Sequence, residues 1–190
     1  MFPVEAFERT IAKFVNIVNT LGIRFHLTGG AISSAYGEPR LTQDIDIVID
    51  PVGARQSMDD LVDQLSHSDF MYTEAVVRAG IERADLFQLL DKSECLKLDI
   101  YPRELIPGEL NRSQKMELFA GVYLPVVSRL DAAISKLIWI DKGSQRSRRD
   151  LRGLFRSSAI DEQMAIQHGA SQFGLQTLLA EVLSEPDEIR

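Results

Sequence analysis

Two features that could do chemistry together lie in one short stretch, "LTGGAISSAYGEPRLTQDIDIVID", residues 27–50. Gly29 and Gly30 would weaken the interior of any helix or strand, and Asp44 and Asp46 are two positions apart. Side chains alternate between the faces of a strand, so both carboxylates would point the same way while Ile45, Ile47 and Ile49 point into the core. Two such carboxylates repel each other unless a cation lies near them. A hard divalent cation, Mg²⁺ or Mn²⁺, meets that need.

A third carboxylate, Asp99, lies in the alternating sequence "CLKLDIY". If its strand pairs beside residues 44–50, three carboxylates converge. The glycine pair supplies the complementary half, because it follows a predicted strand and opens a helix. The backbone of Gly29 and Gly30 can therefore approach a ligand at which the first helical N–H groups point. A phosphate-binding backbone that faces a metal held by carboxylates is typical of phosphoryl or nucleotidyl transfer.

Other interpretations of the Asp-x-Asp pair are also open to the sequence. Without Asp99 and the glycines, the pair would most simply be a solvated strand edge. An EF-hand loop does not fit, because Val48 and Ile49 stand where a polar ligand and a glycine belong. Haloacid-dehalogenase-like phosphatases begin similarly, but there an apolar strand precedes the acids, whereas here "PRLTQ" does. The sequence also lacks the Walker A pattern of P-loop nucleotide-binding proteins.

The stretch "TGGAISSAYGEPRLTQDIDIVID" resembles the signature of the polymerase-β-like nucleotidyltransferase superfamily. That signature is a strand, Gly-Gly or Gly-Ser, a short helix, Asp-x-Asp on the next strand and a third acid on a later strand, which "LKLDIY" matches. The Thr-Gly-Gly start, the approach "RLTQDID" and the downstream "SRLDAAISKL" and "RRDLRGLF" are most similar to the AbiEii/AbiGii toxin-like nucleotidyltransferases. The resemblance covers roughly residues 20–155.

The resemblance implies a role for each residue of the two motifs. Asp44 and Asp46 would hold the metal ions. Asp99 would complete the metal site and act as, or orient, the general base for an acceptor hydroxyl. Gly29 and Gly30 would cradle the triphosphate of the nucleotide.

Further nucleotide contacts are implied less directly. Lys136 would reach the triphosphate, while Arg148 and Asp150 would lie near the nucleotide. Many members carry a serine where this chain has Gly30, and Ser33 or Ser34 could replace its hydroxyl. From the residues alone, Lys136 could equally be an exposed helix lysine, and Asp150 could pair with an arginine one helical turn away. Anion binding is nevertheless favoured by a local basic segment in an acidic chain, formed by Lys142, Arg146, Arg148, Arg149, Arg152 and Arg156.

The composition limits the class of protein. The 190 residues, 45% hydrophobic and 26% charged, suit one soluble globular domain and leave little room for a second. No apolar run approaches the roughly 18 residues that span a bilayer, and the first residues lack the pattern of a signal peptide, so we expect a cytoplasmic protein. Cys95 is the single cysteine, which agrees with a reducing compartment. The net charge of −7 argues against non-specific nucleic-acid binding.

The periodicity of apolar residues predicts an α/β (α+β) fold of the nucleotidyltransferase type, a small mixed sheet flanked by helices, with an α-helical C-terminal portion. Residues 1–127 would form the core, and residues 128–190 would belong to the same compact unit and close one side of the active-site cleft. Strands are expected at 23–28 and 44–50, with hairpins around 91–94 and Gly121. Helices are expected at 3–21, 31–37, 58–65, 129–141, 147–156 and, as a pair, within 160–184.

The sequence therefore predicts a metal-dependent nucleotidyltransferase that moves a nucleoside monophosphate from an NTP to a hydroxyl. If the toxin-like resemblance holds, the acceptor would be RNA, such as a tRNA 3′ end, or a protein side chain, and an antitoxin partner is to be expected. Two alternatives remain open at this point. One is a non-catalytic relative that binds a nucleotide or a partner protein, and the other is a small-molecule nucleotidyltransferase of the antibiotic-modifying kind.

Overall fold

One mixed sheet runs through the first two thirds of the chain in the computed structural model, which describes residues 3–37 and 44–186. In the described residues the sheet has seven strands in the order β3-β4-β5-β2-β1-β7-β6. The strands are β1 Phe25–Thr28, β2 Asp44–Ile49, β3 Phe70–Met71, β4 Phe87–Asp91, β5 Leu96–Tyr101, β6 Gln114–Phe119 and β7 Val122–Val126.

Helices flank this sheet and make up the remainder of the chain. They are α1 Val4–Thr20, α2 Gly29–Tyr36, α3 Pro51–Gln56, α4 Met58–Ser66, α5 Glu74–Arg83, α6 Arg129–Asp141, α7 Arg146–Arg156, α8 Ile160–Gln172 and α9 Gln176–Ser184. The predicted fold class, a mixed sheet flanked by helices and followed by an α-helical portion, is confirmed. Within the described part of the chain, no helix combines the length and the apolar character that crossing a bilayer requires.

The sheet is mixed because two of its pairings join strands that are distant in sequence. β2 pairs in parallel with β5, and β1 pairs in parallel with β7. The other pairings are antiparallel, and they include both predicted hairpins, β4 with β5 and β6 with β7. The centre of the sheet is therefore β5-β2-β1, where the isoleucines of β2 are fully buried and the alternate positions carry the acids.

Glycines and prolines in the sequence mark where several helices and strands begin or end, and the prediction for one such segment was wrong. The tail divides into α8 and α9 at Gly174, one of the two glycines predicted to separate them. The segment from Pro51 to Gly53 was expected only to end β2, but it starts α3. Asp50 caps this helix by accepting a hydrogen bond from the N–H of Val52, and Pro51 occupies its first turn, where proline is favoured.

The described residues divide into two compact units by their contacts. The first lies within residues 1–31 and 41–127 and contains the sheet with α1, α3, α4 and α5. The second lies within residues 32–40 and 128–190 and contains α6 to α9 together with most of α2. The predicted boundaries at 127 and 128 and the predicted single unit stay predictions.

Asp91, the last residue of β4, ties helix α1 to the sheet. Its carboxylate is completely buried and accepts hydrogen bonds from the hydroxyl of Thr10 at 2.8 Å, the ammonium of Lys13 at 2.9 Å and the N–H of Ser93 at 3.0 Å. Burial raises the pKa of Asp91, but the hydrogen bonds from Lys13 and Thr10 outweigh burial, so the pKa lies below its ordinary value. The ionised carboxylate is therefore stabilised by the fold.

We expect Asp91→Asn to lower the free energy of unfolding by about 2–4 kcal/mol at pH 7, since it removes one partner of a buried ion pair. The pKa of Asp91 is lower in the folded protein than in the unfolded chain. The stability that the ionised carboxylate contributes is therefore fully present above its unfolded pKa and is lost as the pH falls through its folded pKa. Urea unfolding at pH 7 and pH 3 measures both effects. Asp69 is the control, because it lies 3.5 Å from the same Lys13 ammonium but is 61% exposed. Equal losses for Asp69→Asn and Asp91→Asn would contradict this assignment.

Candidate functional site

The three acids predicted to hold a metal lie side by side on β2 and β5. These strands are parallel, with Asp46 aligned with Asp99 and Asp44 aligned with Lys97. Aligned residues of neighbouring strands share a face, and neighbouring strands are about 4.8 Å apart. The three carboxylates and one ammonium therefore form a single patch, here called the acid patch. The strand pairing that the metal hypothesis requires is present, and the roles of the acids stay predictions.

Helix α2 begins at the glycine pair, directly beside this patch. Thr28, which ends β1, is aligned with Asp46. Gly29 then has a φ of +73°, and a Cβ built on it would lie 1.9 Å from Oδ2 of Asp46. The absence of a side chain at Gly29 is therefore required by the carboxylate as well as by any phosphate. Gly30 and Ser33 follow on α2, and both are buried.

A lysine that sequence reasoning did not single out, Lys97, contacts two of the three acids of the acid patch. The ammonium of Lys97 donates to Oδ2 of Asp99 at 2.9 Å and lies 3.9 Å from Oδ2 of Asp44. The amide of Gln88, on β4, donates to the other oxygen of Asp99 at 2.9 Å. Lys97 stands two positions before Asp99, so strand alternation could have placed it on the same face.

Two neighbouring groups of the patch have shifted pKa values. Desolvation lowers the pKa of the Lys97 ammonium, but the hydrogen bond to Asp99 and the surrounding negative charges raise it more, so the pKa lies above its ordinary value. Burial, followed by the charges of Asp46 and Asp99, holds the pKa of the Tyr101 phenol far above its ordinary value. Tyr101 therefore stays protonated and donates to Oδ1 of Asp46 at 3.3 Å.

The chemistry of the acid patch fits a divalent cation. Asp44, Asp46 and Asp99 supply the hard oxygen ligands that Mg²⁺ and Mn²⁺ prefer, and two of them already face a positive charge, the Lys97 ammonium. As the side chains stand, no group of three Asp, Glu, His or Cys residues among the described ones is close enough to hold a metal. An ion held by all three carboxylates would require Asp99 to exchange the Lys97 ammonium for the metal.

We therefore expect Lys97→Met to bind Mn²⁺ roughly three- to tenfold more tightly than the unaltered protein, because a competing ammonium is removed. The effect is modest because the Lys97 side chain is 39% exposed and water screens its charge. Isothermal titration with Mn²⁺ measures it without reference to activity. Lys92→Met, an exposed lysine in the turn between β4 and β5, is the matched control and should leave the affinity unchanged. Unchanged or weaker Mn²⁺ binding by Lys97→Met would contradict competition.

The nucleotide-binding residues predicted in the helical unit pair with one another or with acids. Lys136 on α6 is buried rather than exposed, and its ammonium lies 2.9 Å from Oδ2 of Asp150 on α7. Asp150 thus pairs with a lysine of another helix. Arg148 pairs with Glu181 of α9 at 2.9 Å and also with Glu185. Contacts of these residues with a nucleotide stay predictions.

Comparison with known proteins gives fold neighbours. No protein-family model matches this sequence, and no curated protein matches it. The fold is similar to that of the antibiotic-resistance factor ANT(2'')-Ia, with a TM-score of 0.55 and 14% identity over 90% of this chain and 95% of that chain. It is also similar to the lincosamide antibiotic adenylyltransferase LnuA, with a TM-score of 0.51 and 14% identity over 80% of this chain and 98% of that chain.

A third neighbour is an antigenic nucleotidyltransferase-like protein from Paracoccidioides brasiliensis, with a TM-score of 0.51 and 16% identity over 92% of this chain and 90% of that chain. At such identities the likeness is one of fold. The finer resemblance, to the AbiEii/AbiGii toxin-like nucleotidyltransferases, stays a prediction. The chain has the nucleotidyltransferase type of fold, which agrees with the superfamily resemblance of its Gly-Gly and Asp-x-Asp motifs.

Proposed function

We propose that the protein is a metal-dependent nucleotidyltransferase that moves a nucleoside monophosphate from an NTP to a hydroxyl and releases pyrophosphate. The observation that carries this proposal is the alignment of Asp46 with Asp99 across β2 and β5, with Asp44 on the same face and Gly29 against Asp46. A nucleotidyltransferase type of fold that places three acids beside a glycine-initiated helix supports this reaction more than a solvated strand edge.

In the proposed reaction, the acceptor oxygen bonds to the α-phosphorus, the bond between the α-phosphorus and the bridging oxygen breaks, and pyrophosphate leaves. Asp44 and Asp46 would hold Mg²⁺ or Mn²⁺, which supplies positive charge to the phosphate oxygens. Asp99 would accept the proton of the acceptor hydroxyl at a carboxylate oxygen. The backbone of Gly29 and Gly30 would bind the triphosphate at the start of α2.

The acceptor in this proposal is a small molecule. Two of the fold neighbours point this way: ANT(2'')-Ia has been seen in complex with adenylyl-2''-tobramycin, and LnuA is an adenylyltransferase seen with lincomycin bound. The RNA or protein acceptor and the antitoxin partner rest on the toxin-like sequence resemblance alone. Label transfer to RNA or to protein would favour them over a small-molecule acceptor.

A second candidate is a protein that binds the nucleotide without transferring it. The observation in its favour is the Lys97 ammonium, which lies 2.9 Å from the carboxylate proposed as the general base. If Lys97 keeps Asp99 engaged in the nucleotide complex, the acceptor hydroxyl has no carboxylate to take its proton. Nucleotide binding without transfer distinguishes this candidate from the enzyme.

The test is incubation of the protein with each α-labelled NTP, Mg²⁺ or Mn²⁺, and one acceptor at a time: tobramycin, lincomycin, chloramphenicol, total RNA or the protein itself. The proposed function predicts label transfer that a chelator abolishes, together with pyrophosphate release. Metal-dependent NTP binding without transfer to any acceptor would favour the non-catalytic candidate. Absence of both transfer and metal-dependent NTP binding would contradict both.

A further inference from the structure

An open groove of about 790 Å³ lies on the first unit, and Gln88, Leu90 and Lys97, which line it, share the sheet face of the acid patch by their strand alignment. Its floor is formed by β4 together with β3, and its wall by the start of α5, which includes Val76. Pockets of roughly 300–1,000 Å³ are typical of small-molecule sites. The groove is therefore large enough for a drug-sized molecule, and the site described above does not account for it.

A cross-strand row of side chains connects the groove with the acid patch. Asp44 is aligned with Lys97 on β5, Lys97 with Leu90 on β4, and Leu90 with Met71 on β3. Partners aligned across a sheet share a face and are about 4.8 Å apart. The row therefore leads from Asp44 in the acid patch across the sheet to β3. Its other three members, Lys97, Leu90 and Met71, line the groove.

A second row places the proposed general base at the end of the groove. Asp46 is aligned with Asp99, and Asp99 with Gln88. Gln88 and Lys97 both line the groove, and each donates a 2.9 Å hydrogen bond to Asp99. A molecule lying in the groove can therefore bring a hydroxyl to Asp99 by displacing one of these two donors. This continuity makes the groove a candidate for the acceptor site.

The residues that line the groove favour an uncharged, largely apolar ligand. Met71, Val76 and Leu86 are 56%, 52% and 38% exposed, an unusual concentration of solvent-facing apolar side chains. Lys97 is the charged residue among those that line the groove. A nucleic acid would need several cations for its phosphates, and a polycation such as an aminoglycoside would need carboxylates along the walls. Neither set of groups lines this groove.

We propose that the groove binds the apolar body of an uncharged alcohol of drug-like size and directs its hydroxyl to Asp99. This inference rests on the proposed function, because it assigns the acceptor of that reaction. The alcohol oxygen bonds to the α-phosphorus, its proton passes to a carboxylate oxygen of Asp99, and pyrophosphate leaves. Lys97 and Gln88, at the end of the groove beside Asp99, would position the hydroxyl once they no longer donate to the Asp99 carboxylate.

The test measures binding and transfer separately, with uncharged amphipathic alcohols as probes: chloramphenicol, and octyl glucoside below its micelle concentration. Titration by NMR or calorimetry should show binding of at least one probe to the unaltered protein. Val76→Asp places a carboxylate in the apolar wall and should weaken that binding about tenfold or more. Val52→Asp is the matched control, because Val52 is 58% exposed, lies in the first turn of α3 and does not line the groove.

Metal-dependent NTP binding, measured on the same samples, tests the proposed nucleotidyltransferase function separately from the assignment of the acceptor to the groove. Val76→Asp should keep NTP binding and thermal stability while losing probe binding and label transfer to the probes. Binding of neither probe, equal binding by Val76→Asp, or transfer to tobramycin or an oligoribonucleotide with none to the alcohols would overturn the groove assignment while NTP binding persists. Loss of NTP binding in the unaltered protein would instead contradict the proposed function.

Discussion

Asp46→Asn is expected to lower the rate of nucleotidyl transfer on the order of a thousandfold, the upper end of what removing one charge-stabilising group costs. Asparagine keeps the size and shape of the side chain, so the contact with Gly29 is preserved. It removes the negative charge with which Asp46 would hold the metal ion. The rate with saturating labelled NTP and Mn²⁺, measured beside the Mn²⁺ affinity, checks both the loss and its cause.

The same substitution should leave the fold intact or stabilise it slightly. Asp46 lies between Asp44 and Asp99, and removing one of three neighbouring negative charges relieves repulsion. Asp60→Asn, at an exposed position of α4, is the control for removing one carboxylate elsewhere in the first unit. Retention of more than about a tenth of the unaltered rate by a folded Asp46→Asn would exclude the metal-holding role, given the thousandfold loss expected.

Much of the fold could be predicted because its signals are local. The apolar repeats that define α1 and α6, the alternation in β2, and the glycines that end helices all lie within a few residues of the structure they specify. Helix α3 was missed for a related reason: the dipeptide Asp50–Pro51 marks a helix start as well as a strand end, and composition alone does not decide between them.

The candidate site could be predicted only in part, because its assembly depends on a long-range pairing. Whether Asp99 joins Asp44 and Asp46 depends on β5 pairing in parallel with β2, and no local pattern specifies that partner. The same pairing brings Lys97 opposite Asp44. The acids and glycines were therefore within reach of sequence reasoning, because their types form a motif. Alternation along β5 could place Lys97 on the face of Asp99, but its approach to Asp44 depends on the pairing of β5 with β2.

Lys136 and Asp150 illustrate the reverse case. Each was assigned to the nucleotide through the resemblance of its surrounding sequence, and the structure pairs them with each other, both largely buried, across α6 and α7. A buried lysine needs a carboxylate partner, so this ion pair has a structural reason that does not involve a ligand. Sequence periodicity did not reveal it, because the two partners lie on different helices.

Gly29→Ala is expected to lower the transfer rate a hundredfold or more, since a displacement of about 1 Å at a reacting group can cost that much. The new Cβ would lie 1.9 Å from Oδ2 and 2.4 Å from Cγ of Asp46, so the carboxylate must leave its place. The alanine would also have to adopt the left-handed φ of +73°, which costs about 1 kcal/mol of stability. The rate and the free energy of unfolding are measured on the same samples.

Gly22→Ala isolates the backbone effect from the contact with the carboxylate. Gly22 has a similar φ of +65°, and nothing lies within 4 Å of a Cβ built there. Both variants should therefore lose about 1 kcal/mol through the left-handed backbone, whereas only Gly29→Ala should lose activity and Mn²⁺ affinity, because only there does the methyl group displace Asp46. A Gly29→Ala protein as active as Gly22→Ala would mean that the position of the Asp46 carboxylate does not matter for transfer, and the acid patch would then not be the site of the reaction.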